Sequence, residues 1–160
     1  AYQTGAPLPH MVAGDALTYG TGSIPLIIAA LLVCKSESCK SISRFGFIPA
    51  LFGVDEPVYF GMPMIMNPLF FIPWVIGAPT VSVFGTHILK MIGLLGYSNC
   101  TGGQNAANLP FFVGNLMNYG VAGLIWGCVL FALIVIMYIP FVKAYDNQML
   151  EQEQKTAEGK

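Results

Sequence analysis

Hydrophobic and polar positions sort this chain into long apolar runs joined by short polar connections. Residues 16–34, ALTYGTGSIPLIIAALLVC, are 19 uncharged positions, enough to cross a bilayer at about 1.5 Å per residue. Small residues fill the first half of that run and Pro25 interrupts it, so a kinked or irregular start is expected. A polar loop, CKSESCKSISR, follows at 34–44. Residues 45–72 are apolar again but repeatedly broken by proline. A second span is expected at about 74–96, ending in GLLGYSNCTGGQNAANLP, a Gly- and Asn-rich connection without charge. The run 121–142, VAGLIWGCVLFALIVIMYIPFV, is the cleanest span, and the tail AYDNQMLEQEQKTAEGK reads as a polar, fraying helix.

Composition sharpens this pattern into a class. Of the 160 residues, 55% are hydrophobic and 9% charged, against about 25% charged in an ordinary soluble domain. From Met91 to Val142, 52 consecutive residues include no Asp, Glu, Lys or Arg. A soluble fold cannot solvate such a segment, so the expectation is one polytopic membrane unit. The net charge of −1 leaves no nucleic-acid footprint. The N-terminus, AYQTGAPLPH, has no basic region of the signal-peptide kind and reads as the interior of a longer chain.

Orientation follows from the basic residues. The 34–44 loop holds Lys35, Lys40 and Arg44 against one acid, Glu37, which places it in the cytoplasm. If the tail is cytoplasmic too, an even number of crossings separates them, and the spans at 74–96 and 121–142 supply two. Residues 45–72 must then enter and leave on one side. Prolines at 57, 63, 68, 73 and 79 agree, because each removes a backbone donor and a long helix is not expected to survive them. Non-helical backbone at membrane depth persists only inside protein or beside a wet cavity. The expected fold is an all-α membrane protein, with about three transmembrane helices plus a re-entrant hairpin of broken helices.

Asp55 and Glu56 open that proline series, and no other charge follows until Lys90. Pro57 favours a helix start, so both carboxylates sit at a helix N-terminus. They could simply cap it. Broken helices whose ends meet a substrate are, however, a recurring transporter architecture, and an ionisable residue there is a functional candidate. A carboxylate offers only acceptors, which suit the hydroxyl donors of a neutral sugar. Tyr59 and Phe60 add aromatic faces for stacking. The cysteines at 34, 39, 100 and 128 show no C-x-x-C spacing and no histidine in step, so they read as scattered small apolar residues and no metal site is assigned. The segment LLVCKSESCKS, 31–41, is not read as a strand and phosphate-accepting cysteine loop, because Lys35 and Glu37 crowd a loop that would need small residues and the preceding run belongs to a membrane span.

The segment GVDEPVYFGMPMIMNPLFFIPWVIGAP closely resembles the G-[IV]-x-E-P-[IV]-x-F-G-x-P-[IV]-x-x-N-P-x-x-x-I-P signature of the lactose/cellobiose family. These are the membrane EIIC components of bacterial sugar phosphotransferase systems. FGFIPALFGVDEP is similar to the family's lead-in, and PFVKAYDNQMLEQE to its C-terminal end. The resemblance covers the whole chain and matches the C-terminal part of an EIIC, with 1–146 as transport domain and 147–160 as a polar cytoplasmic tail. It implies a multi-pass permease of the bacterial cell membrane, homodimeric, carrying a disaccharide such as cellobiose or lactose by elevator-like movement.

Phosphate would come from a phosphocysteine on EIIB, supplied through EIIA, so no catalytic residue and no cofactor is assigned to this chain. The family's sugar-binding glutamate falls on Glu56. The preceding position, commonly Asn or Thr, is Asp55 here. Gly20, Thr21, Gly22 and Ser23 are similar to the family's Gly/Ser-rich turn near the site. The resulting substrate-binding set is Glu56, Asp55, Gly22, Ser23 and Tyr59. The family's Trp-Thr-Thr-Pro-like segment aligns near 106–110, where this chain reads AANLP without the aromatic or the threonines. The family's active-site histidine and N-terminal EIIC half belong upstream, and neither His10 nor His87 lies in a matching motif. A fragment or split-gene product follows, not expected to transport alone. Two other functions compete with a sugar permease: a cation-coupled sugar transporter using Asp55 and Glu56 as ion ligands, and a non-transporting membrane subunit derived from such a permease.

Overall fold

A computed structural model describes residues 22–64, 67–96 and 110–158. Every regular element among them is helical, as the apolar pattern implies. The helix α1 runs over Ile24–Val33 and begins with Ser23 as N-cap and Pro25 in its first turn. At 10 residues it is about 15 Å long and cannot cross a bilayer alone. The third crossing expected over 16–34 is therefore not a continuous helix within the described residues. Residues 16–21 lie outside them.

The 34–44 segment is not the loop its polarity suggests. Residues Glu37–Leu51 form α2, capped by Ser36, whose hydroxyl accepts from the Cys39 amide at 3.3 Å. That serine cap and the acid Glu37 in the first turn outweigh a polar composition that says nothing against a helix. Pro49 falls in its last turn, and the helix stops two residues later. The short α3, Glu56–Gly61, has Asp55 as N-cap. It lies close against α2, because a Cβ on Gly46 would stand 2.4 Å from Val58 and one on Gly61 would stand 2.7 Å from Ile42.

The proline series breaks the backbone less than expected. Pro68–Phe71 (α4), a π-helical turn Ile72–Gly77 and Ala78–Ile92 (α5) run on as one rod of 25 residues. That is about 37 Å, more than the roughly 30 Å of a hydrocarbon core. Pro68 occupies the first turn, where its missing donor costs nothing. The π turn takes up Pro73 and Pro79 by shifting the local bond to i→i+5, as from the Ala78 amide to the Pro73 carbonyl. The span thus starts near residue 68 instead of 74, and the broken region contracts to 52–67.

The helix α6, Phe111–Glu158, is bent back on itself at Gly120, whose φ of 66° lies in the left-handed region. Residues 111–119 return along 121–131. A Cβ on Gly127 would stand 2.4 Å from the Asn115 amide nitrogen, and one on Gly123 would stand 2.2 Å from Tyr119 Cβ. Gly123 and Gly127, one helical turn apart, are the small-residue pair that permits such close contact in a membrane. Asn115 is wholly buried there, and neither side-chain polar atom has a partner among the described residues.

Beyond residue 142 the helix continues to Glu158. Asp146 accepts from the amides of Lys35 and Ser36 at 2.9 Å each, and Glu153 accepts from the Ser36 and Ser38 hydroxyls at 2.8 Å. The start of α2 and the tail therefore share one end of the molecule, which is what placing both in the cytoplasm requires. The core gathers Leu26, Ile27, Val58, Met62, Phe70, Ile134 and Tyr138 between α1, α3, α4 and α6. Many large apolar side chains outside it are exposed, Phe84, Ile88, Met91 and Val121 among them, as a lipid-facing or partner-facing surface would be.

Candidate functional site

Four of the five residues expected to bind substrate meet at the junction of α1 and α3. Asp55 ends the loop after α2, and its backbone carbonyl accepts from the Val58 and Tyr59 amides at 3.0 and 3.1 Å. Its side chain does not cap its own helix. It reaches 32 residues back along the chain, where Oδ1 accepts from the Ser23 amide at 3.1 Å and from the Ser23 hydroxyl in a short bond. Oδ2 accepts from the Tyr59 hydroxyl at 3.2 Å. Gly22 makes the approach possible. Its φ is +48°, and a Cβ there would stand 2.8 Å from Asp55 Oδ2.

Glu56 differs from its neighbour. It is exposed, and no described residue bonds its carboxylate. The local sequence explains the division of labour. Asp55 precedes the helix in a conformation that aims its short side chain at α1, whereas Glu56 is the first helical residue and projects a longer arm from the surface. Tyr59 packs its ring against Trp74 at 5.3 Å between centroids and 51° between planes. Trp74 belongs to the π turn and was not singled out from sequence. It stands 15 residues from Tyr59 in sequence, and the fold brings the two rings together.

Phe60 is exposed on the far side of α3 and joins neither this aromatic pair nor the clasp. Gly20 and Thr21 lie outside the described residues, as do His10, Cys100 and Ala106–Leu109. Chemically the corner presents one unengaged carboxylate beside a rigid, already hydrogen-bonded frame with an aromatic wall. Such a site suits a neutral ligand rich in hydroxyl donors.

The reading of Cys34 and Cys39 as scattered apolar residues needs correction. They are bonded to each other as a disulfide, with Cα atoms 6.4 Å apart. A separation of five residues looks unpromising in sequence, but the turn between α1 and α2 folds them together. Their sulfurs and an Asp146 carboxylate oxygen lie within 4.8 Å of one another, all three residues being buried. Cys128 is exposed and free.

Comparison with known proteins fits this arrangement. A family profile described as "Phosphotransferase system, EIIC" matches residues 1–78. The oligo-β-mannoside-specific EIIC component of Bacillus subtilis is 29% identical over 165 residues, covering 98% of this chain and 37% of that relative. The lactose-specific EIICB component of Streptococcus mutans is 38% identical over 151 residues, covering 88% of this chain and 24% of the relative. The crystal structure of the transporter ChbC, the IIC component from the N,N'-diacetylchitobiose-specific phosphotransferase system, superposes on 96% of this chain with a TM-score of 0.86 at 29% identity. This chain belongs to the EIIC family.

It spans 24–37% of the length of these relatives and 37% of the ChbC chain. The all-helical fold and the two described helices long and apolar enough to cross a membrane, Pro68–Ile92 and Tyr119–Thr156, are those of an EIIC segment. Within that segment the signature residues 53–73 supply Asp55, Glu56 and Tyr59, and the preceding turn supplies Gly22 and Ser23.

Proposed function

We propose that this EIIC segment is the sugar-binding part of a multi-pass permease in the bacterial cell membrane. The permease translocates a disaccharide that EIIB then phosphorylates, with EIIA upstream of EIIB. Residues 1–146 form part of the transport domain, and 147–160 form its cytoplasmic end. One observation carries the reading. Glu56 keeps its full acceptor capacity while the adjacent Asp55 spends its own on Ser23 and Tyr59. Glu56 is thus the residue that accepts from sugar hydroxyls. Asp55, with Gly22 and Ser23, holds α1 against α3 so that Glu56 is correctly placed, and Tyr59 and Trp74 wall the site.

The N-terminal EIIC half, with its histidine, completes the permease, which works as a homodimer. The names of relatives support the substrate class, since they are specific for lactose, oligo-β-mannosides and diacetylchitobiose. Uptake of labelled lactose and cellobiose by cells expressing the intact permease tests this. Uptake that requires a phosphoenolpyruvate donor, survives an uncoupler and is lost in Glu56→Gln is the expected result. Uptake abolished by the uncoupler would instead make Asp55 and Glu56 ligands of a coupling ion.

A further inference from the structure

The corner between α1 and α2 holds chemistry that sugar binding does not use. Cys34 is the C-cap of α1, and Cys39 is the third residue of α2. The two are bonded at a Cα separation of 6.4 Å, inside the range a disulfide spans without moving backbone. Both are buried, at 6% and 0% exposure. The intervening residues are held from outside the corner. Asp146 binds the amides of Lys35 and Ser36, and Glu153 binds Ser36 and Ser38. The polypeptide thus presents the two sulfurs to each other by bonds that do not involve sulfur.

Lys35, Lys40 and Arg44 mark this corner as cytoplasmic. Small thiols keep most protein disulfides open in that compartment, and those that form there are usually transient or redox-sensing. We infer that Cys34 and Cys39 are a reversible oxidation site whose co-reactant is a low-molecular-weight disulfide. The inference rests on the cytoplasmic placement adopted above.

Balanced exchange proceeds in two displacements. Cys39 lies in the first turn of α2 and reacts as its thiolate. Once the corner opens, that thiolate attacks the small disulfide, forming a mixed disulfide and releasing one small thiolate. The Cys34 thiolate then attacks the Cys39 sulfur and releases the second. Two protein thiols and one small disulfide become one protein disulfide and two small thiols. The protein loses two electrons, the small disulfide gains them, and the two thiol protons end on the leaving groups.

The consequence lies in where the bond sits. Ser23, α1, the 34–39 corner, α2 and α3 form a closed frame, because Asp55 bonds back to Ser23. The disulfide staples the one corner of this frame that lies opposite the Ser23–Asp55 clasp. Oxidation fixes α1 relative to α2, and reduction leaves that angle to the hydrogen bonds of Asp146 and Glu153 alone.

The test uses the intact permease in membrane vesicles, equilibrated with reduced and oxidised glutathione, acid-quenched, denatured, and alkylated for mass spectrometry. Cys34 and Cys39 should gain label together as the poise becomes reducing, with a midpoint set by the ratio of the squared reduced glutathione concentration to the oxidised one. In Cys34→Ser, Cys39 should instead carry glutathione at oxidising poise. Independent labelling of the two cysteines, or full labelling at every poise, would overturn the site. Retention of one zinc equivalent by the reduced protein, lost in Cys34→Ser, would overturn it in favour of a cation site. A membrane-impermeant phosphine should reduce the bond in inverted vesicles and spare it in right-side-out ones. Reduction from the outer face would overturn the cytoplasmic placement and the redox-responsive role with it, while coupled labelling would still mark a disulfide.

Discussion

At the scale of single residues, the molecule turns on two neighbouring carboxylates with opposite fates. The Asp55 carboxylate accepts three hydrogen bonds from the protein, whereas the Glu56 carboxylate accepts none from any described residue. Asp55→Ala strands the Ser23 and Tyr59 donors and should destabilise the fold by about 1.5–3 kcal/mol. Asp55→Asn should be far milder. Its carbonyl oxygen still serves Ser23, and the Tyr59 hydroxyl can rotate to accept from the new amide. Thermal unfolding of the two variants in detergent checks the ordering, and equal losses would contradict it. Gly22→Ala should lower the melting temperature as much as Asp55→Ala does. It forces a Cβ into a left-handed backbone and to within 2.8 Å of the carboxylate. Both carboxylates were legible in sequence because charge is rare in this chain, and the signature marked Glu56. Their division of labour was not legible, since it depends on the clasp across 32 residues. Nor was Trp74, whose contact with Tyr59 arises only from the fold.

At the scale of elements, the sequence announced apolar spans and interruptions but misplaced where interruptions fall. Prolines were read as helix breakers, yet Pro73 and Pro79 sit within a rod that continues from Pro68 to Ile92 through a π turn. Proline removes one donor and clashes one turn back, and a single i→i+5 turn relieves both without ending the helix. Conversely, the polar stretch after Cys34 folds as α2, because capping and tail contacts decide it more than composition. The sharpest break falls at Gly120, inside an uncharged run with no proline nearby to signal it. Gly127→Leu should open the hairpin that this break creates, since any side chain there displaces Asn115. Overpacking of this kind costs roughly 1–3 kcal/mol. Distance measurements between spin labels at exposed positions 113 and 129 should lengthen in the variant. An unchanged distance would show that the glycine contact does not hold the hairpin.

At the scale of the whole molecule, the chain is an EIIC segment one end of which, the end proposed to face the cytoplasm, is built from two distant stretches, 35–38 and 146–153. A cysteine placed at exposed position 41 and a reporter fused after Lys160 should therefore fall on the same side of the membrane. Impermeant labelling of position 41 from the outer face would break the topology. That experiment must keep Cys34 and Cys39 bonded or replace them, because free thiols there would take the label as well. The central claim is that Glu56 receives the sugar, and equilibrium binding of labelled lactose or cellobiose to the purified intact permease tests it most directly. Glu56→Gln removes the charge and turns one acceptor into a donor. The loss of a charged hydrogen bond, roughly 1.5–3 kcal/mol, should weaken binding by at least about tenfold. The same variant should discriminate less against the sugar phosphate, because the repulsion between the carboxylate and the phosphate is gone. Asp55→Asn should bind almost normally. Normal binding by Glu56→Gln together with lost binding by Asp55→Asn would show that the ligand meets the other carboxylate.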